Sequence, residues 1–419
     1  MIRYLSLFRD HARPLTFGLL LAFLSSFGQT FFISLSGAHV REKFGLSHGD
    51  FGAIYSIATL GSGLLMVWAG ALLDRVPTGR YTAAAFSGLA VAAVAYASAP
   101  NIVVLAAAIF ALRLFGQGML SHASVTSMAR RFQHDRGKAI GVATLGHPAG
   151  EAVLPSIAVA AAALLGWTTT WWTIAFLVLV VMASRPHRLL DGIGHGSVPV
   201  RPGVPTGGAA PEPVTVDYTR GDVLRDWRFY LFLPSMLGPP AIGTGFFFHQ
   251  LLLAQTKDWP LPLLTTSFTG YALGSVLATV VTGSLADRFR STTLTRFYLL
   301  PMAAGTLVLA FADGVVSAPA FFVLAGITTG ATGVIVPSVL ADLYGTRHIG
   351  AIRALGAAIM VLATAVTPGL MGVLVDRGIG MEVIALGCAA YLVAASLLNT
   401  ALGLQRPAAL RQAPQHPGD

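Results

Sequence analysis

Apolar residues arrive along this chain in blocks of about twenty, separated by short joints of charge, Gly and Pro. Blocks of that length cross ~30 Å of hydrocarbon as helices. The pattern predicts spans at 14–36, 49–73, 80–99, 102–127, 137–164, 167–184, 228–254, 264–286, 292–312, 316–343, 350–374 and 382–404. The expected fold is an all-α membrane protein of twelve transmembrane helices. After the sixth span the pattern fails, and GIGHGSVPVRPGVPTGGAAPEPVTV reads as a disordered linker. The expected division is a six-helix bundle at 1–185, a Gly/Pro-rich linker at 186–228, a second six-helix bundle at 229–405 and a disordered tail at 406–419.

The two sets of six repeat each other. Gly70-x-Leu72-x-Asp74-Arg75 recurs 213 residues later as Gly283-x-Leu285-x-Asp287-Arg288. The same offset relates Leu60-Gly61-Ser62 to Leu273-Gly274-Ser275, Gly137 to Gly350 and Pro155 to Pro368. So many landmarks at one offset imply an internal duplication. Two parallel six-helix repeats predict an alternating-access carrier with its site between them.

Composition agrees: 54% of residues are hydrophobic, 11% are charged and the mean hydropathy is +0.70. The net charge of +9 suggests nucleic acid only until the basic residues are located. Of 27 Lys and Arg, 22 fall in the tails and the even-numbered joints. Four (Arg41, Lys43, Lys257 and Arg377) fall on the other side, and Arg113 lies within a span. This positive-inside asymmetry predicts a multi-pass protein of an inner or plasma membrane with both termini and the linker cytoplasmic. The basic start MIRYLSLFRDHARP lacks a following cleavage site, so the first span reads as a retained anchor. Cys388 is the single cysteine, which excludes an intrachain disulfide or a thiol metal cluster. No phosphate-cradling loop, HExxH motif or nucleophile triad occurs, so the chain reads as a non-enzyme without cofactor or metal. An ion or substrate gradient must supply the energy.

Twelve spans, a long central loop and G-x-L-x-D-R after the second and eighth spans resemble the major facilitator superfamily over all but the linker and tail. The first copy, GALLDRVPTGR, carries an insertion before Gly79 and Arg80; the second, GSLADRFR, lacks the usual glycine. The resemblance implies a gate latch at Gly70, Asp74, Arg75, Gly283, Asp287 and Arg288. Helix caps and topology charges are the simpler reading of the same residues. In the fifth span Arg136, Ala139, Gly141, Ala143, Gly146, Pro148 and Gly150, followed by Pro155 and Gly166-Trp167, resemble the monocarboxylate-transporter branch. That branch carries an acidic residue and an arginine in its eighth span, where this chain has Ser275 and Thr279. Gly137, Gly146 and Gly150 also match the glycine skeleton of the antiporter motif, with Glu151 in place of its proline.

Two ionisable groups lie where hydrocarbon should surround them, Arg113 and Glu151. Either costs at least ~2.5–3.5 kcal/mol there, so each is expected to face a bundle interior or wet cavity. Arg113, Gln117, Ser121 and Ser124 share one helical face. A guanidinium beside an amide and hydroxyls suits a carboxylate or phosphate; the resemblance to the superfamily implies bonding to first-span backbone as the equal alternative. Glu151 is the only one of 18 acidic residues placed near mid-membrane, with His147 one turn before it. A carboxyl away from water favours its protonated form, which makes Glu151 and His147 the expected proton-coupling pair. A static Glu151–Arg113 ion pair is the simpler reading, and lone intramembrane histidines such as His147 and His122 also bond neighbouring helices. In the second half His249, Gln250 and Tyr271 are expected to line the site, and Gly238-Pro239-Pro240 is expected to break the seventh helix.

These readings converge on a monomeric secondary transporter moving a small organic anion with protons. Proton-antiporting export of lipophilic compounds is the alternative within transport, and a transport-inactive sensor or a channel is the alternative outside it.

Overall fold

The computed structural model describes residues 7, 9–132, 135–190, 218–345 and 347–403. Much of the expected linker, residues 191–217, and the expected tail, 406–419, lie outside them.

Among the described residues, nine helices are long and apolar enough to cross a membrane, and a bent first span makes ten. The first span runs as Ala12–Leu24, a tight turn at Ser25–Gly28, Thr30–Ile33 and Gly37–Phe44, and bends by 47° at Gln29. The second is His48–Leu72 and the third Thr78–Ser98. The fourth joins Ile102–Ala111 to Ser121–Arg131 through a π-helical stretch, Leu112–Leu120.

Helices Arg136–Thr144 and Gly146–Ala183 hold the fifth and sixth spans, divided where Gly166 takes φ +78°. Chain direction reverses there. Gly146 packs on Leu19–Phe23 and Gly150 on Ser26, ascending the first span. Trp172 then bonds Ser98 at the end of the third span, and Met182 meets Ser87 on the way back. A left-handed φ of this kind suits glycine.

The seventh span is Trp227–Phe248 continued by Gln250–Thr256, and the eighth is Leu261–Ala286. The tenth, eleventh and twelfth are Ser317–Tyr344, Ile349–Asp376 and Met381–Gly403. The ninth is reduced to Leu300–Phe311 after a short turn of helix at Ser291–Leu294. Counting it and the reversal at Gly166 brings the spans to twelve. Pro301 opens that ninth helix, and the carbonyls of the unwound stretch before it are taken by the twelfth span: Asn399 donates to Thr295 O at 2.8 Å, and Ser396 donates to Arg296 O.

One expectation fails. The seventh helix runs unbroken through Pro234, Pro239 and Pro240 and breaks at His249 instead. Proline at 239 removes the N–H that would serve Ser235 O, but the Tyr298 hydroxyl donates to that carbonyl at 2.6 Å. A neighbouring helix thus supplies the missing donor, as membrane helices require.

The even-numbered joints gather at one end, here called the basic end; residues 44–48, 99–101, 257–260, 313–317 and 377–381 form the far end. Large side chains such as Leu64, Trp68, Leu164, Phe176, Leu277 and Leu370 point outward, as a lipid-facing surface needs.

Candidate functional site

The site is organised by the break in the first span. The run Ser25-Ser26-Phe27-Gly28-Gln29-Thr30 interrupts its apolar pattern, and Gln29 is extended (φ −86°, ψ 156°). An extended residue in a membrane helix frees backbone groups that must find partners. Arg113, on the π stretch of the fourth span, is buried and donates through Nη1 to Gly28 O at 3.3 Å and to Thr30 Oγ1 at 3.4 Å. Its guanidinium lies 5.4 Å from the Tyr55 ring centroid, and the Tyr55 and Thr30 hydroxyls bond at 2.6 Å. Its Nε is buried without a partner and leaves an unused donor.

His147 clasps the other side of the break. Its Nδ1 lies 3.2 Å from Ser25 Oγ and 3.3 Å from Gln29 Nε2, and its Nε2 lies 3.3 Å from Ser121 Oγ. It joins the first, fourth and fifth spans in one polar cluster. Ser124, lower on the fourth span, donates to Gly18 O at 2.6 Å. The polar face read from Arg113 to Ser124 is therefore turned toward the first span. Gln117 sits between them, half-buried, its backbone nitrogen close to Gly28.

Glu151 lies apart from this cluster. It is half-buried where the fifth span meets the eighth, beside the bond from Thr269 Oγ1 to Ala152 O at 2.9 Å. It makes neither a hydrogen bond nor an ion pair with another described residue; Arg113 bonds the first span instead. Tyr271 of the eighth span lies within electrostatic range of Glu151, and its hydroxyl donates to Thr329 Oγ1 at 3.2 Å. The fourth span's counterparts at offset 213, Gly326 and Gly330, carry no polar side chain and press directly onto the Tyr271 and Ser275 carbonyls. At this pair of repeat-related positions the polar side chains belong to the first half.

His249 and Gln250 sit farther out, at the break of the seventh span. His249 Nε2 lies 3.0 Å from Pro368 O, and Gln250 Nε2 donates to Phe31 O and Ser34 Oγ, both at 2.7 Å. Together with Ser34 Oγ to Phe247 O at 2.7 Å, the Gln250 bonds tie the first and seventh spans, while His249 ties the seventh to the eleventh. Phe51 of one half stacks on Phe248 of the other and Tyr55 lies tilted against the same ring, with ring centroids 5.0 and 4.8 Å apart. These contacts seal the far end. At the basic end, among the described residues, Gly70 faces Met66 and His122 and Asp74 pairs with Arg130 of the fourth span, all within their own half. Arg75, Asp287 and Arg288 are exposed, and the space beside Gly283 is open.

Sequence reasoning missed Ser25, Gln29, Thr30 and Tyr55. For all but Tyr55 the available signal was Ser25, Ser26, Gln29 and Thr30, four polar residues within six positions of an apolar block.

Comparison with known proteins places this geometry. The family model of the Major Facilitator Superfamily matches residues 18–268 and 241–418. No curated protein sequence matches the chain. Two crystal structures of a bacterial homolog to the human lysosomal transporter Spinster share the fold. The inward-facing, unoccupied form has a TM-score of 0.64 at 13% identity, covering 93% of this chain and 96% of that one. The inward-facing, occupied form has a TM-score of 0.67 at 12% identity, covering 95% and 97%. Two six-helix halves, a repeated G-x-L-x-D-R and a family match over nearly the whole length identify the chain as a member of the major facilitator superfamily.

Proposed function

We propose that the protein is a proton-coupled secondary transporter of a small organic anion. Membership of the family makes it a membrane transporter working by alternating access; coupling ion and substrate are the further step. The observation that carries them is Glu151, an unpaired, half-buried carboxyl at the contact between the halves, one turn from the His147 cluster. A carboxyl without a bonded cation favours its protonated form away from water and gives up the proton when water or a cation reaches it. Arg113 keeps an unused Nε donor and a planar fork suited to a carboxylate. Anion binding at Arg113 and proton binding at Glu151 would then be linked by a coupling free energy.

Residues 1–185 rock against 229–405. By the positive-inside asymmetry the basic end is cytoplasmic, so the arrangement described is inward-facing. In the opposite state Asp74 and Asp287 act as latches between the halves at the basic end. The aromatic cluster of Phe247, Phe268 and Phe322 in the second half favours export of lipophilic compounds as the second reading. Purified protein in proteoliposomes, given an inward or outward pH gradient and a panel of organic acids and lipophilic cations, tests the proposal. Accumulation of an organic acid above equilibrium is expected. Downhill flux alone would make it a channel, and flux of the cations alone would favour the exporter.

A further inference from the structure

The second span is completed at its amino end by the other half of the molecule. A helix start leaves four backbone N–H groups without intrahelical partners. Ser47 and Asp50 form a capping box: Asp50 N donates to Ser47 Oγ at 3.0 Å and Ser47 N to Asp50 Oδ2 at 3.1 Å. Two donors remain at the first turn, and both go to Asp376, the last residue of the eleventh span. His48 N reaches Oδ1 at 3.1 Å and Gly49 N reaches Oδ2 at 2.7 Å. A carboxylate at a helix amino end is favoured by the helix dipole as well as by the two bonds. Arg41, at the end of the first span, adds a positive charge in range of the same carboxylate.

The backbones are shaped for this contact. A Cβ on Gly49 would lie 2.5 Å from Asp376 Oδ2, and one on Gly52 would lie 2.6 Å from Pro368 O. Beneath the clasp, Ser34, Arg41, His48, Phe51, Phe248 and His249 enclose only about 20 Å³, room for roughly one water. The other far-end acids are differently engaged. Asp313 and Glu382 hold Lys257 within the second half, and Asp258 is exposed.

We propose that Asp376, clasping the amino end of the second span, is the outer latch of the transport cycle, broken and remade each time the far end opens. The proposal rests on the alternating-access reading above. Opening the far end transfers a carboxylate and two N–H donors from each other to water, so the latch sets how often that end opens.

The test is pulsed electron-spin distance measurement on the full chain in lipid nanodiscs, in a Cys388→Ser background. Labels at Glu42→Cys and Val315→Cys report the far end; labels at Gly137→Cys and Ala354→Cys report the basic end. Asp376→Asn should raise the population with a long far-end distance by about tenfold, equivalent to ~1.4 kcal/mol, and shorten the basic-end distance in the same molecules. Asp258→Asn, which removes the same charge from the same face, should change neither. If Asp376→Asn does not fold, Gly49→Ala attacks the contact from the other side and should give the same shift. Two wild-type populations that either variant leaves unaltered would overturn the latch alone. A single fixed distance at each end of the wild type, whatever the pH, would remove the alternating-access reading and the latch together.

Discussion

Gly28→Ala is the perturbation whose outcome the structure constrains most tightly. Gly28 sits at the break of the first span against the π stretch of the fourth. An added Cβ would lie 2.6 Å from Gln117 N and 2.8 Å from Gly116 Cα, and nearer still to Leu112 O. Ordinary contact needs roughly 3.5–4.0 Å, so the helices must part by about 1 Å. All three obstructing atoms are backbone, and no side chain can swing aside. Overpacking costs ~1–3 kcal/mol, and a rigid backbone puts this case near the top of that range. The shift also pulls Gly28 O away from Arg113, which reaches it at 3.3 Å. Gly141→Ala makes the internal comparison, because a Cβ there meets nothing within 4 Å. In a helix interior that change should stabilise by ~0.5–1 kcal/mol. Cys388, the single cysteine, is partly buried in the twelfth span and serves as reporter. Its reaction with a thiol-specific fluorogenic dye during heating gives a melting midpoint. Gly28→Ala should melt well below wild type and Gly141→Ala at or slightly above it. Equal midpoints for Gly28→Ala and wild type would refute the close approach of the first and fourth spans.

Two further expectations follow from named side chains. Arg113→Lys keeps the charge but loses the planar fork that reaches Gly28 O and Thr30 Oγ1. Substrate affinity should fall about tenfold or more, the scale of one charged hydrogen bond, as measured by ligand-induced rise in melting midpoint. Burial works against the charge on Lys257, but its hydrogen bonds to Asp313 at 2.8 Å and to Glu382 outweigh it and hold its pKa above the ordinary lysine value. The stabilisation is therefore complete below about pH 10.4 and lost as pH rises through the higher folded value. Melting of wild type should fall on that alkaline side, and Lys257→Met should melt lower at neutral pH without that additional fall.

The spans were legible because hydrophobic blocks report burial in lipid directly. All twelve expected segments overlap helices, and the 213-residue repeat foretold two matching halves. The breaks were not legible, because periodicity reports which face is apolar and not where the axis bends. Pro239-Pro240 read as a break, yet Tyr298, 63 residues beyond the Ser235 carbonyl it serves, supplies the donor that keeps the helix whole. The bend at Gln29 carries no proline and was overlooked. Arg113 and Glu151 stood out as charges in apolar blocks, but their partners lie on other helices. Asp376 went unnoticed for the same reason: an aspartate at a helix end looks like a topology charge until the amino end it caps is seen.

Transport by Glu151→Gln is the measurement that bears most directly on the proposed coupling. Glutamine keeps the shape of the protonated acid and cannot release a proton. Once an organic acid substrate has been identified, wild type and variant are compared in proteoliposomes in two modes, accumulation driven by an imposed pH gradient and exchange of labelled for unlabelled substrate at equal pH. The account predicts that Glu151→Gln loses gradient-driven accumulation while exchange continues, because substrate binding and rocking survive without the proton. Full gradient-driven accumulation by Glu151→Gln would contradict it and leave Glu151 as a structural residue between the fifth and eighth spans.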